Sequence, residues 1–206
     1  EPWLSESLPA RHWNRQMGWV DMTAQMALDA MMLGEMANKI GEVAEANAWR
    51  TEYAELGEIV NRLCWNDGMG FYGDYHEGEV LPRKCAAAFW VLLAKLAPHD
   101  RAVHMRNAMM DERFFFRPVP FPALSADDPR YAPETGYWEG PSWPPTTYVG
   151  IMGLRACGFN VEAEAAARRY YNANAALYEK HSTVFENISP EQTGVAKRRS
   201  SRFWRS

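Results

Sequence analysis

At 206 residues with 47% hydrophobic side chains, the chain can bury one sizeable core as a single domain, and 14 glycines with 13 prolines are too few for a disordered polymer. The net charge of −4 is uneven: Lys197, Arg198, Arg199, Arg202 and Arg205 place +5 on residues 197–206, and subtracting that from −4 leaves −9 on residues 1–196. An acidic body argues against a nucleic-acid-binding domain, the basic tail reads as a solvated end, and no apolar run is long enough to span a membrane.

Residues 1–20 show no regular pattern and carry Pro2, Pro9, Trp3, Trp13 and Trp19. Glu1 stands where a full reading frame has Met, and EPWLSESLPARHW lacks the pattern of a signal peptide, so a piece of a longer protein is expected and the compartment is left open. Asp21 is a candidate N-cap, its carboxylate able to accept from the unpartnered N–H groups of a first helix turn. Met22, Met26, Ala30, Leu33, Ala37 and Ile40 then recur at steps of three and four, and Gly41 suits a C′ position. A second helix is predicted from about Val43 to Trp65, with Ala46, Trp49, Tyr53, Leu56, Val60 and Leu63 on one side. The short connection makes the two an antiparallel hairpin.

Asn66-Asp67-Gly68-Met69-Gly70 reads as a turn and Phe71–Tyr75 as strand-like, giving a small ribbon near 71–81. Helices are predicted over about 84–96, 100–110, 146–157 and from Asn160 to about 181, closed by breaks at Pro98 and Gly158. Between them, residues 111–145 have little helical pattern, and irregular segments of that length are often functional. The prediction is an all-α protein of three helical hairpins, whose stacking gives either a solenoid or a closed toroid.

The irregular segment ends in Tyr137-Trp138-Glu139-Gly140-Pro141-Ser142-Trp143-Pro144-Pro145. Two indoles and a phenol on a loop stiffened by glycine and proline make a platform for a sugar ring; equally, large aromatics can plug a helical core. Pro144 and Pro145 suit a first helix turn, where an N–H has no partner to lose. Cys64, Cys85 and Cys157 sit singly in apolar runs and read as buried free thiols, and the five histidines lack ligand spacing, so neither a metal nor a cofactor is expected. Further on, Glu186 follows an apolar pair in a short extended run within Thr183–Gly194. Alone it reads as a loop glutamate; beside the tryptophan loop it is a candidate for the base that activates water in glycoside hydrolysis.

Six stretches taken together resemble family-63 glycoside hydrolases and the mannosylglycerate-hydrolase-like and trehalase-like enzymes near them. They are VDMTAQMALDAMMLGEMA (20–37), LCWNDGMGFYGDY (63–75), RKCAAAFWVLLAKLA (83–97), PALSADDPRYAP (122–133), YWEGPSWPPTTYVGIMGL (137–154) and VFENISPEQTG (184–194). The resemblance implies an (α/α)6 toroid, of which this chain would be about half, the C-terminal part. It also implies inverting hydrolysis of an α-glycosidic bond in a small glucoside or mannoside. By position, Glu186 matches the general base, and Tyr137, Trp138, Gly140 and Trp143 match the loop beside the sugar. Two positions depart from the pattern. Leu4–Pro9 lacks the aspartic acid such enzymes present as general acid, leaving Glu6 or a group upstream of residue 1, and Glu139 stands where arginine is frequent. A non-catalytic carbohydrate-binding domain or a helical scaffold on the same fold is the alternative. The expected partner is a small carbohydrate, with neither nucleic acid nor membrane, and a terminal hairpin with an exposed apolar flank is expected to promote self-association.

Overall fold

A computed structural model describes residues 17–191, so Glu6 and the basic tail at 197–206 lie outside the described residues. Helix makes up 54% of the structure. A hairpin of α1 (Val20–Lys39) and α2 (Val43–Leu63) comes first. A 3-10 turn (Ala86–Ala88) then runs into α3 (Phe89–Leu93), followed by α4 (His99–Met109), α5 (Pro144–Ala156) and α6 (Asn160–His181). Short strands β1 (Met17–Gly18), β4 (Tyr75–His76) and β5 (Glu79–Val80) form one antiparallel ribbon, and β2 (Trp65–Asn66) pairs with β3 (Phe71–Tyr72) in another. The expected ribbon near 71–81 is therefore present and recruits Met17 and Gly18 from before α1.

Packing sorts the helices into two layers. α1 packs on α3 and α3 on α5, while α2 covers α1 and α6 covers α5. The inner row thus consists of α1, α3 and α5, and α4 packs on β3. α3 is shorter than its sequence pattern predicts, because backbone groups at its front are used elsewhere. Cys85 bridges Leu124, the Ala86 N–H donates to the Ala123 carbonyl at 2.9 Å, and the Lys84 carbonyl accepts from Ser125 at 3.0 Å.

α1 departs from its sequence reading in two respects. Its N-cap is Trp19, and the Val20 N–H donates to the buried carboxylate of Asp74 at 2.9 Å, a cap supplied from another part of the chain. Asp21 instead accepts from the neighbouring Met22 N–H at 2.8 Å. The buried face is Val20, Ala24, Ala27, Ala30, Gly34 and Ala37, whereas Met22, Met26, Leu33 and Ile40 of the predicted stripe are exposed, with Met36 at 59% and Ile40 at 77%. Small residues let the neighbouring helices approach closely, so the larger apolar side chains are left on the outer face.

The irregular stretch 111–143 is anchored in the core rather than draped over it. Phe115 and Phe121 are fully buried; Phe115 stacks on Phe71 at 5.6 Å, and Phe89 meets Phe115 at 5.2 Å and Phe121 at 5.4 Å, both edge-on. α5 admits Phe121 through Gly150, where an added Cβ would lie 2.8 Å from the phenyl ring. Each of these phenylalanines removes a large apolar area from water, worth about 1.5–3 kcal/mol.

Candidate active site

A cavity of about 270 Å3 opens where the N-terminal ends of the inner row converge. α1 contributes Asp21 and Gln25, the 3-10 turn Ala86 and Ala87, and α5 Pro145, Thr146 and Val149, with Trp90, Leu124 and Trp138 closing the walls. The volume lies just below the usual range for small-molecule sites, about 300–1,000 Å3.

Four extended segments that are far apart in sequence meet beside it. Isolated antiparallel bridges join Cys85 to Leu124, Pro122 to Ser142, and Ser142 to Ile188. The last is reciprocal, the Ser142 N–H donating to Ile188 at 2.9 Å and the Ile188 N–H to Ser142 at 3.0 Å. This lattice brings the tryptophan loop and the glutamate segment side by side.

Within the loop, Trp138 stacks on Trp143 with ring centroids 4.1 Å apart and planes within 9°. Trp143 is only 4% exposed and donates its indole N–H to the Tyr137 carbonyl at 3.1 Å; Tyr137 meets it edge-on at 4.7 Å. Trp138 is the ring that lines the cavity, and Trp143 backs it. Tyr137 has φ 55, a conformation that costs a non-glycine residue about 1–3 kcal/mol and is commonly held at functional sites. Gly140 is buried, and a Cβ there would fall 2.6 Å from the Ala132 carbonyl carbon and 2.8 Å from Pro133 Cα. The two readings of the tryptophans divide between them: one is a core plug and the other a cavity wall.

Glu186 lies two residues before Ile188, whose backbone bridges Ser142 of the loop; its side chain is exposed and is not among the cavity-lining residues. Its segment is clamped by a carboxylate that sequence reasoning missed. Glu191 accepts two bonds from Arg117, at 2.8 and 2.7 Å, and one from the Tyr131 hydroxyl at 2.8 Å. Burial by itself would raise the Glu191 pKa, but the Arg117 and Tyr131 hydrogen bonds outweigh it and hold the carboxyl below its ordinary value. A lowered folded pKa means the clamp stabilises fully above the unfolded value near 4.5 and is lost as pH falls through the folded pKa. Arg117→Ala is expected to reduce stability by about 1.5 kcal/mol at neutral pH, the low end for bonds to a charged group at a partly exposed site. Denaturant titrations of wild type and variant should draw together as pH falls through the folded Glu191 pKa, below 4.5.

Asp21 has the opposite environment. Burial raises its pKa, against the lowering effect of the Met22 N–H. No cluster of His, Cys, Asp and Glu able to hold a metal occurs among the described residues. Cys64 and Cys85 are buried and outside any disulfide, Cys157 is half-buried, and burial pushes the Cys64 thiol up to about 12. No helix among the described residues is long and apolar enough to cross a membrane.

Paired helices in two layers, with a loop-walled cavity at the ends of the inner row, define a protein of the (α/α)6 glycosidase class, here a partial toroid. A model of the mannosylglycerate hydrolase MGH1-like glycoside hydrolase domain matches residues 4–204, and the chain belongs to that family. Periplasmic trehalase of Escherichia coli is 24% identical over 179 residues, 85% of this chain and 30% of the trehalase. Among solved structures, the GH63 mannosylglycerate hydrolase of Thermus thermophilus in complex with glucose superposes with a TM-score of 0.70 at 23% identity, over 84% of this chain and 42% of that one. Neutral trehalase of Saccharomyces cerevisiae gives 0.72 at 17% identity, over 85% and 34%. The chain thus spans about a third of the trehalases and two-fifths of the hydrolase.

Proposed function

We propose that this chain supplies the sugar-ring platform and the general base of an inverting glycoside hydrolase acting on an α-glycosidic bond of a small glucoside or mannoside. The observation that carries the reading is the adjacency of the Trp138 cavity and the Glu186 segment through the Ser142–Ile188 bridge. A pyranose presents C–H groups to an indole face and hydroxyls to flanking polar groups, which matches a cavity walled by the indoles of Trp90 and Trp138 with a few polar side chains between them. In the proposed reaction Glu186 takes a proton from water as the water attacks the anomeric carbon, and the bond to the leaving oxygen breaks as an acid protonates it. Inversion requires the two carboxyls roughly 6.5–9.5 Å apart. Glu6, the candidate acid, lies outside the described residues.

The test is proton NMR of α-D-glucosyl fluoride turnover by the chain, because fluoride leaves without a protonated glycosidic oxygen. β-Glucose as the first product is the expected result. α-Glucose would mean retention and would overturn the mechanism. Specific glucose binding with no turnover would instead support the carbohydrate-binding alternative, which the lack of an aspartic acid in Leu4–Pro9 favours.

The exposed apolar side of α1 belongs to the same reading. Met22, Met26, Leu33, Met36 and Ile40 form a face of the kind that marks an interface, and a second copy of the chain is its proposed occupant. Sedimentation velocity should show a concentration-dependent dimer that Met36→Glu with Ile40→Glu converts to monomer. A monomer at all concentrations would remove self-association from the proposal.

A further inference from the structure

Besides the Cys85 thiol and the indole N–H groups of Trp90 and Trp138, the cavity is lined by three oxygen-bearing side chains: Asp21 and Gln25, one turn apart on α1, and Thr146 on α5. Thr146 is already committed, its hydroxyl donating to the Trp143 carbonyl at 3.0 Å. Asp21 is the only ionisable carboxylate that lines the cavity among the described residues. It was a candidate cap by sequence, but Asp74 takes that role at Val20, and one oxygen of Asp21 is used by Met22. Gln25 follows on the same helix face, half-buried like Asp21, and Trp138 lines the same cavity from its loop.

From this arrangement we infer that Asp21 and Gln25 are substrate-contacting residues, accepting from and donating to hydroxyls of the sugar ring that Trp138 covers. The inference deepens the proposed function and rests on it: it makes α1 the specificity-determining wall. A carboxylate accepts from two vicinal hydroxyls at once, and an amide one turn away offers a donor and an acceptor to the next. Charge-assisted bonds to a partly desolvated carboxylate are the strong class. The raised pKa of Asp21 has the same origin, since burial removes the water that a sugar hydroxyl would replace. A site built this way rejects a ring that lacks the hydroxyl, because the polar group is then left unpaired in the cavity. The ring would therefore be read at particular hydroxyls by α1, and only covered, without discrimination, by the indole.

The test uses the full chain with D-glucose and its monodeoxy analogues, read by calorimetry and by tryptophan fluorescence. Asp21→Asn, of the same shape, is expected to weaken glucose about 10-fold or more, and Gln25→Ala somewhat less. The discriminating readout is a double cycle. If Asp21 bonds a given hydroxyl, the analogue lacking it should bind wild type and Asp21→Asn alike, so the two losses do not add. Additive losses for every analogue would overturn the inference, as would unchanged glucose affinity in both variants. A purely structural role would shift thermal stability and weaken all analogues equally. Failure of wild type to bind any glucose would overturn the sugar-site reading and this inference together, whereas glucose binding indifferent to Asp21 and Gln25 overturns this inference alone.

Discussion

Glu186→Gln is expected to lower α-glucosyl fluoride hydrolysis by about 10²–10⁴-fold, the ordinary value of a general base, while leaving glucose affinity within about twofold of wild type. The split follows from placement. Glu186 is exposed, lies outside the cavity lining, and makes no hydrogen bond or ion pair with another described residue. A carboxylate so placed contributes little to holding a ground-state ring but is free to take a proton from water. The amide keeps the size of the side chain and loses only its basicity, so the fold should be untouched. The fluoride substrate matters because it does not need the acid that a natural glycoside needs. Equal rates for variant and wild type would mean that Glu186 is not the base, whatever the fate of the Trp138 cavity.

Gly140→Ala should be the most damaging single methyl in the loop. The added carbon would sit 2.6 Å from the Ala132 carbonyl carbon, 2.7 Å from its oxygen and 2.8 Å from Pro133 Cα, and all three are backbone atoms that cannot swing aside. The loop is closed on itself there, with Ala132 donating to Glu139 at 2.7 Å and Gly136 to Ala132 at 2.8 Å. Relief therefore requires the 132–140 backbone to move, and Trp138 moves with it. Overpacking of this kind costs about 1–3 kcal/mol, or a fall in Tm of roughly 3–10 °C for a chain of this size. Glucose affinity should fall by about 10-fold or more as the Trp138 ring leaves its stack. Trp138→Phe, which keeps an aromatic ring in the stack, is the comparison: it should weaken glucose with a smaller fall in Tm than Gly140→Ala. A Gly140→Ala variant with unchanged melting and binding would contradict the loop geometry.

The helices were legible because their periodicity and breaks are local. α2 begins at Val43 as predicted, α6 runs to His181, and the turn at Asn66–Gly70 joins β2 to β3. Boundaries failed where distant backbone competes: Lys84 and Cys85 look helical in sequence, yet they bridge the 122–125 segment and delay the helix to Ala86. The faces of α1 failed for another reason. Periodicity marks an apolar stripe without saying which apolar stripe a neighbour can approach, and close approach selected alanine and glycine over methionine.

By itself the sequence determined the helical class, the pairing of neighbours through short connections, and the concentration of tryptophan and glycine at 137–143, because each depends on residues within a few turns of one another. Only the tertiary structure decided which indole walls a cavity and which fills the core, that Asp74 caps α1, that Arg117 and Tyr131 clamp Glu191, and that Asp21 and Gln25 share a cavity with Trp138. Apart from the paired indoles, each of these joins groups tens of residues apart in the chain. Their energies come from burial and hydrogen bonding after the chain has closed on itself, which no local pattern encodes.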